Sequence, residues 1–224
     1  MSLGRPRLHL RSTESTNDRA RELAVRGAPH GTLVTAGAQT AGRGRQGRVW
    51  TAPAGRALLC SLVLREFGPL LSLAAGVAVA EIAGPDAAIK WPNDVLMDGR
   101  KVAGILVEGR IQEGWTVLGI GVNVAVRVED FPPELRERAG TLGLSADDLE
   151  PTLAGLLDGL ERWLAAPGVE VLAAVRARDA LRDRPVSWAG GAGVGAGVDE
   201  DGRLLVVSDG GVVALDAGEV HLRA

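Results

Sequence analysis

The sequence predicts an α+β protein, a mixed and largely antiparallel sheet with helices, followed by a small all-β module. Three observations carry this. Apolar runs of strand length meet in hairpins and mix with helical stretches, without the regular βαβ alternation of a doubly wound fold. At 46% hydrophobic residues over 224 positions, there is material for a sizeable core. After about residue 182 the helical patterns stop, and short apolar runs alternate with glycine turns.

In chain order, residues 7–11 alternate as a short strand. Residues 12–17 are rich in capping types, so a helix should run over 18–26 and stop at Gly27. Residues 32–38 read as a strand, 40–53 as a loop and 57–65 as a buried strand. Residues 69–83 are nearly all apolar with Pro69 at the start, which predicts a buried helix. A strand over 87–91 ends at Pro92. Residues 95–108 form a hairpin, because Asp98-Gly99 is a favoured two-residue turn. A strand follows over 115–124, a short helix at most over 130–139, and helices over 152–165 and 169–181, separated by Pro167-Gly168. The last forty or so residues, with turns at Gly190 to Gly197, Asp201-Gly202 and Asp209-Gly210-Gly211, are too few for a stable independent barrel and should pack on the rest. The expected division is 1–180 and 181–224.

Net charge is −3, so no global field draws the chain to nucleic acid or an anionic membrane, and any anion site is local. The single cysteine, Cys60, excludes an intrachain disulfide and fits a reducing, cytoplasmic setting; in its apolar run it reads as a buried structural thiol. The Arg-rich start lacks the apolar core of a signal peptide, and the apolar stretch over 70–83 is too short to span a bilayer. No metal-ligating cluster stands out. Of 25 basic residues, all but Lys90 and Lys101 are arginine. Codon bias is one source of that skew. Sites where a compact ammonium fits and a planar guanidinium does not are the other.

Gly42-Arg43-Gly44-Arg45-Gln46-Gly47 matches the dinucleotide fingerprint in form only. That motif must open a helix, and here Pro53 and Gly55 follow. The glycines let backbone N–H groups approach an anion, and Arg43, Arg45 and Arg48 add forked cationic donors. Three such charges want a counter-anion, so the empty loop should move and should order around its ligand. A solvated basic loop and an RNA-binding Gly-Arg segment are the alternatives; the latter run longer and repeat.

Lys90-Trp91-Pro92-Asn93-Asp94 closes one strand, and Lys101 opens the return arm of the hairpin that runs to Glu108. In Gly119-Ile120-Gly121-Val122-Asn123-Val124, alternation turns Gly119, Gly121 and Asn123 to one face. Two glycines leave it bare for a flat ligand, with Asn123 as a polar end and Gly104 in a similar part next door. A strand packed tightly under a helix would give the same pattern.

Taken together, Ser15-Thr16-Asn17, Gln39, the loop from Gly42 to Arg48 with Trp50, Lys90 to Asp94, Lys101 to Glu108 and Gly119 to Asn123 resemble the biotin–protein ligase family, in family order. Arg184-Pro185-Val186 and the closing Gly218 to Arg223 resemble its C-terminal module. The resemblance implies a class II aminoacyl-tRNA-synthetase-like catalytic domain with an SH3-like barrel. It implies that MgATP and biotin give biotinyl-5′-AMP, and that a lysine of a biotin carboxyl carrier domain, of acetyl-CoA carboxylase or a related carboxylase, displaces AMP. Because the match starts near Arg7, it implies ligase activity without the DNA-binding repressor role of longer members. It implies biotin contacts at Ser15, Thr16, Asn17, Gln39, Gly42, Arg43, Gly44, Arg45, Lys101 and Gly104. The ATP and adenylate contacts are Arg45, Arg48, Trp50, Lys90, Asn93, Gly121 and Asn123. Arg45, Lys101, Lys90 and Asp94 would carry the chemistry, Asp94 by orienting the incoming amine. Mg2+ would arrive with ATP, and a homodimer paired through the sheet is compatible with the family. A lipoate–protein ligase is the nearest alternative.

Overall fold

The structure, a computed structural model, describes residues 2–216, 218 and 220–223, and all of their side chains except those of Arg110 and Ile111. Glu219, part of the closing motif, lies outside the described residues.

A seven-stranded sheet organises the fold, in the order β1-β2-β3-β7-β6-β5-β4. Its strands are β1 (Arg7–Leu10), β2 (Leu33–Ala36), β3 (Leu58–Leu64), β4 (Ala88–Lys90), β5 (Asp94–Met97), β6 (Arg100–Arg110) and β7 (Trp115–Val122). β1 and β2 run parallel and every other pair is antiparallel, so the sheet is mixed. The α+β expectation fits. β3 is buried at every position, as a strand covered on both faces must be. At the β5–β6 turn, Asp98 and Gly99 both adopt positive φ (49° and 73°), the type I′ geometry that Asp-Gly favours.

Helix α1 (Thr16–Val25) covers one face and α2 (Leu71–Ala83) the other. α2 is buried along most of its length because α3 (Leu149–Ala165) and α4 (Gly168–Ala177) pack over it. Among the described residues no helix is long and apolar enough to cross a membrane. A second, antiparallel sheet of five strands follows: β8 (Pro185–Trp188), β9 (Gly191–Val198), β10 (Leu204–Ser208), β11 (Gly211–Leu215) and β12 (His221–Leu222). Leu204, Val206 and Val198 share one apolar cluster with Leu71, Ile89 and Leu172, so this sheet adds to the main core.

Among the boundaries that differ from expectation, three helix ends have an identifiable cause. α1 begins at Thr16 instead of residue 18, with Ser15 as its N-cap, yet the Ser15 side chain makes no capping bond. All three residues of the Ser-Thr-Asn run are buried, and Thr16 and Asn17 make tertiary side-chain contacts. α3 begins at Leu149, ahead of Pro151, because proline is tolerated in a first turn. α4 ends at Ala177, four residues early. There the chain turns to pair with β4, Ile89 N–H donating to Arg178 O (2.7 Å) and Ala180 N–H to Ile89 O (3.0 Å).

Candidate active site

A cavity of about 790 Å³ opens at one end of the seven-stranded sheet. The residues after β2, the start of α1, the β4–β5 corner, the first half of β6 and the end of β7 all reach it. It collects every site residue expected from the sequence except Gly42. That glycine lines a neighbouring cavity of about 480 Å³ formed by the Gly-Arg loop, Leu106 and Glu108. The loop is a tight return: Gly44 N–H donates to Arg48 O (2.7 Å) and Trp50 N–H to Gly42 O (2.9 Å). A Cβ on Gly42 would lie 2.3 Å from Trp50 O, so only glycine fits there.

One end of the cavity is polar and uncharged. Gln39 Oε1 accepts from Thr16 N–H (2.7 Å) and lies 3.0 Å from Thr16 Oγ1, which turns the Gln39 amide nitrogen toward Gly42. Ser61 Oγ lies 2.8 Å from Thr16 Oγ1 and 2.6 Å from Asn17 Oδ1. Asn17 Nδ2 donates to Glu108 Oε2 (3.0 Å), and because a carboxylate only accepts, Asn17 must present its oxygen to Ser61. Ser61, Thr16 and Asn17 are all buried, so these bonds replace lost hydration.

The other end is cationic. Both lysines of the chain line it, as do Arg45, Arg48 and Arg138, against the carboxylates of Asp94 and Glu137. Lys101 Nζ lies 2.6 Å from Asp94 Oδ1, a close ion pair off the hydrogen-bond angle, and 5.8 Å from the Trp50 ring. Arg45 Nη1 donates to Asn93 Oδ1 (3.0 Å), while Asn93 Nδ2 is fixed on Ile105 O (3.0 Å). Lys90 stands opposite Asp94 in the β4–β5 register. Asn123 Nδ2 donates to Gly140 O (2.9 Å), and Asn123 Oδ1 and Trp50 Nε1 are buried without hydrogen-bond partners. Two orphaned polar atoms beside this cationic wall suit a polar, anionic guest. Among the described residues no group of three or more His, Cys, Asp or Glu side chains could hold a metal.

Two expectations need correction. Gly119 and Gly121 do not present a bare face. A Cβ on Gly119 would lie 2.0 Å from Asn17 Oδ1, and one on Gly121 2.6 Å from the Trp50 indole, so two side chains cover the glycine floor. Arg43 is not waiting for an external counter-anion, since it pairs with Asp18 and Glu108 at 2.6 Å each. Trp91 turns away from the cavity and donates from Nε1 to Gly202 O (2.9 Å), tying the β4–β5 corner to the second sheet. Cys60 is buried as expected, and burial pushes its thiol up to about 12.

Some lining and supporting residues escaped the sequence. Ser61 carried a faint signal, a lone hydroxyl in an otherwise apolar buried strand, which must find a partner. Glu137, Arg138, His221 and Leu222 reach the cavity from distant segments and carried none.

The chain is similar to known proteins in sequence and in fold. Residues 9–125 match the Biotin/lipoate A/B protein ligase family. A Bacillus subtilis protein named bifunctional ligase/repressor BirA is 45% identical over 146 residues, which cover 60% of this chain but only 45% of that protein. The chain thus spans less than half the length of that relative. A Mycobacterium tuberculosis protein named biotin--[acetyl-CoA-carboxylase] ligase is 36% identical over 236 residues, covering 94% of this chain and 87% of that one. The structure of a biotin protein ligase from Aquifex aeolicus in complex with biotin and ATP superposes with a TM-score of 0.84 at 28% identity, over 98% of this chain and 99% of that one.

Proposed function

Because this chain belongs to the biotin/lipoate A/B protein ligase family, we propose that it is an ATP-dependent biotin–protein ligase that loads a carboxylase carrier domain in the cytoplasm. The observation that carries this reading is a cavity in which an uncharged polar end meets the chain's only two lysines and the loop arginines Arg45 and Arg48. The ureido and thiophane rings of biotin sit at the polar end against Ser15, Thr16, Gln39 and the loop backbone at Gly42, Arg43 and Gly44, beside Gly104. Asn17 holds this end together from behind. The carboxylate points to Arg45 and Lys101.

The chemical problem is bringing a carboxylate to a triphosphate. Preorganised cations offset that repulsion without reorganising during the reaction, and fixing the two reactants side by side supplies much of the remainder. The biotin carboxylate attacks the α-phosphorus and pyrophosphate leaves, giving biotinyl-5′-AMP. Lys101 meets the α-phosphate, and Lys90, Arg48, Asn93, Gly121 and Asn123 line the nucleotide half with Trp50. The ε-amine of a carrier lysine, on acetyl-CoA carboxylase or a related enzyme, then displaces AMP, with Asp94 as its orienting carboxylate. Mg2+ suits this site as an ion that keeps its waters and binds through phosphates, and no step above is routed through it. We also read residues 1–180 as a class II synthetase-like catalytic domain and 181–224 as an SH3-like module.

Pyrophosphate exchange into ATP, with biotin, lipoate or no acid, tests the assignment. Exchange is expected with biotin alone. Exchange with lipoate alone would move the chain to the other branch of the family, and no acid-dependent exchange would remove the ligase reading.

A further inference from the structure

Glu108, near the far end of β6, has no part in the chemistry above, yet its carboxylate joins the loop to the polar end of the cavity. Oε1 accepts from Arg43 Nη2 at 2.6 Å, and Oε2 accepts from Asn17 Nδ2 at 3.0 Å with Arg21 Nη2 3.3 Å away. Arg43 Nη1 and Arg21 Nη1 both reach Asp18 Oδ1, at 2.6 and 3.0 Å. From Asn17 the bonds continue through Ser61 to the Thr16 hydroxyl, and the Thr16 backbone N–H donates to Gln39. Gln39 and Arg43 are four residues apart in sequence, so one hydrogen-bonded chain leaves the loop at one residue and returns at the other. Asp18 shares the two guanidinium groups, but Glu108 is the carboxylate that faces both the Asn17 amide and the Arg43 guanidinium.

We propose that Glu108 is a positioning residue for biotin: it pins the Gly-Arg loop through Arg43 and orients Asn17, so that loop closure and the polar pocket form together. The proposal rests on the ligase reading. It gives no role to Glu108 after biotin is seated, so its loss acts on biotin capture more than on turnover.

The test uses the full chain in biotin-dependent pyrophosphate exchange, with Glu108→Gln, Arg43→Met and the double variant. Each single change should raise the KM for biotin about tenfold and leave kcat within about twofold, the pattern of lost binding without lost transition-state contact. The double variant should be no worse than the weaker single, because both break the same link. Rising salt should weaken biotin capture in the wild type by screening this half-exposed cluster, and should do so less in Glu108→Gln. An unchanged KM in Glu108→Gln, or multiplying effects in the double variant, would overturn the proposal. If Glu108→Gln does not fold, Arg43→Met decides alone, and an unchanged KM there overturns it. A wild type without biotin-dependent exchange refutes the ligase reading instead.

Discussion

Replacing Gly119 with alanine would set a methyl carbon 2.0 Å from Asn17 Oδ1, where ordinary contact begins at 3.4 Å. The Asn17 side chain would have to retreat by roughly 1.4 Å, and it has nowhere cheap to go. It is held by Ser61 at 2.6 Å and by Glu108 at 3.0 Å, and a shift of that size takes both bonds past useful length. Losing one neutral and one charge-assisted buried bond costs about 2.5–4 kcal/mol. For a chain of this size that lowers Tm by roughly 5–15 °C. Thermal melts of the single variant and of a double-mutant cycle with Asn17→Ala measure it. In the Asn17→Ala background the obstacle is gone, so Gly119→Ala should then cost less than about 0.5 kcal/mol. A Gly119→Ala protein that melts with the wild type, or an equal cost in both backgrounds, would refute the argument. Gly121→Ala is the contrast. It meets Trp50 at 2.6 Å, but the Trp50 Nε1 has no hydrogen bond to lose. That indole can move aside, so stability should fall by only about 1 kcal/mol while the nucleotide half of the cavity changes shape.

Three further outcomes follow from the same geometry. Lys101→Arg keeps the charge but brings a wider group to a site where Lys101 Nζ already sits 3.2 Å from the Cβ position of Gly104. Acid-dependent exchange should fall about 100-fold through misplacement; near-normal exchange would mean that the scarcity of lysine is only codon usage. The Cys60 thiol, buried and pushed up to about 12, should resist maleimide in the native protein and react only after denaturation. Rapid labelling without unfolding would contradict its burial. Asp179 is half-buried where α4 gives way to the second sheet, with Oδ2 lacking a partner, and burial pushes its carboxyl up against the pull of the Leu181 and Arg182 backbone. A carboxyl raised by folding contributes stability that is complete below its unfolded pKa of about 3.9 and is lost as pH rises through the raised value. Asp179→Asn should therefore raise Tm at neutral pH and do little near pH 3; an equal change at both would trace the effect to packing.

Much of this protein was legible locally. The Asp98-Gly99 hairpin, the buried β3, the apolar α2 and the proline that ends β4 depend on near neighbours in the chain, so the residues there dictate them. The loop chemistry was legible for the same reason: glycines and arginines packed into seven positions can do few things. The two lysines stood out against an arginine background, and both line the cavity.

Other features were decided only by distant partners. Ser, Thr and Asn serve equally as helix caps or as buried hydrogen-bonding groups. Thr16 and Asn17 took the second use because Gln39, Ser61 and Glu108 arrive from elsewhere in the chain. The alternation of β7 could announce that Gly119 and Gly121 share a face, but not that Asn17 and Trp50 would cover it. Nor could local pattern reveal that Asp18 and Glu108 would take the charge of Arg43, or that His221 would reach the same cavity as Ser15. Backbone preference acts over a few residues, whereas a buried polar group or a charge is satisfied by whatever the fold brings within about 3 Å. The sequence by itself therefore determined the elements and the chemistry of the loop, and the tertiary structure decided which groups meet.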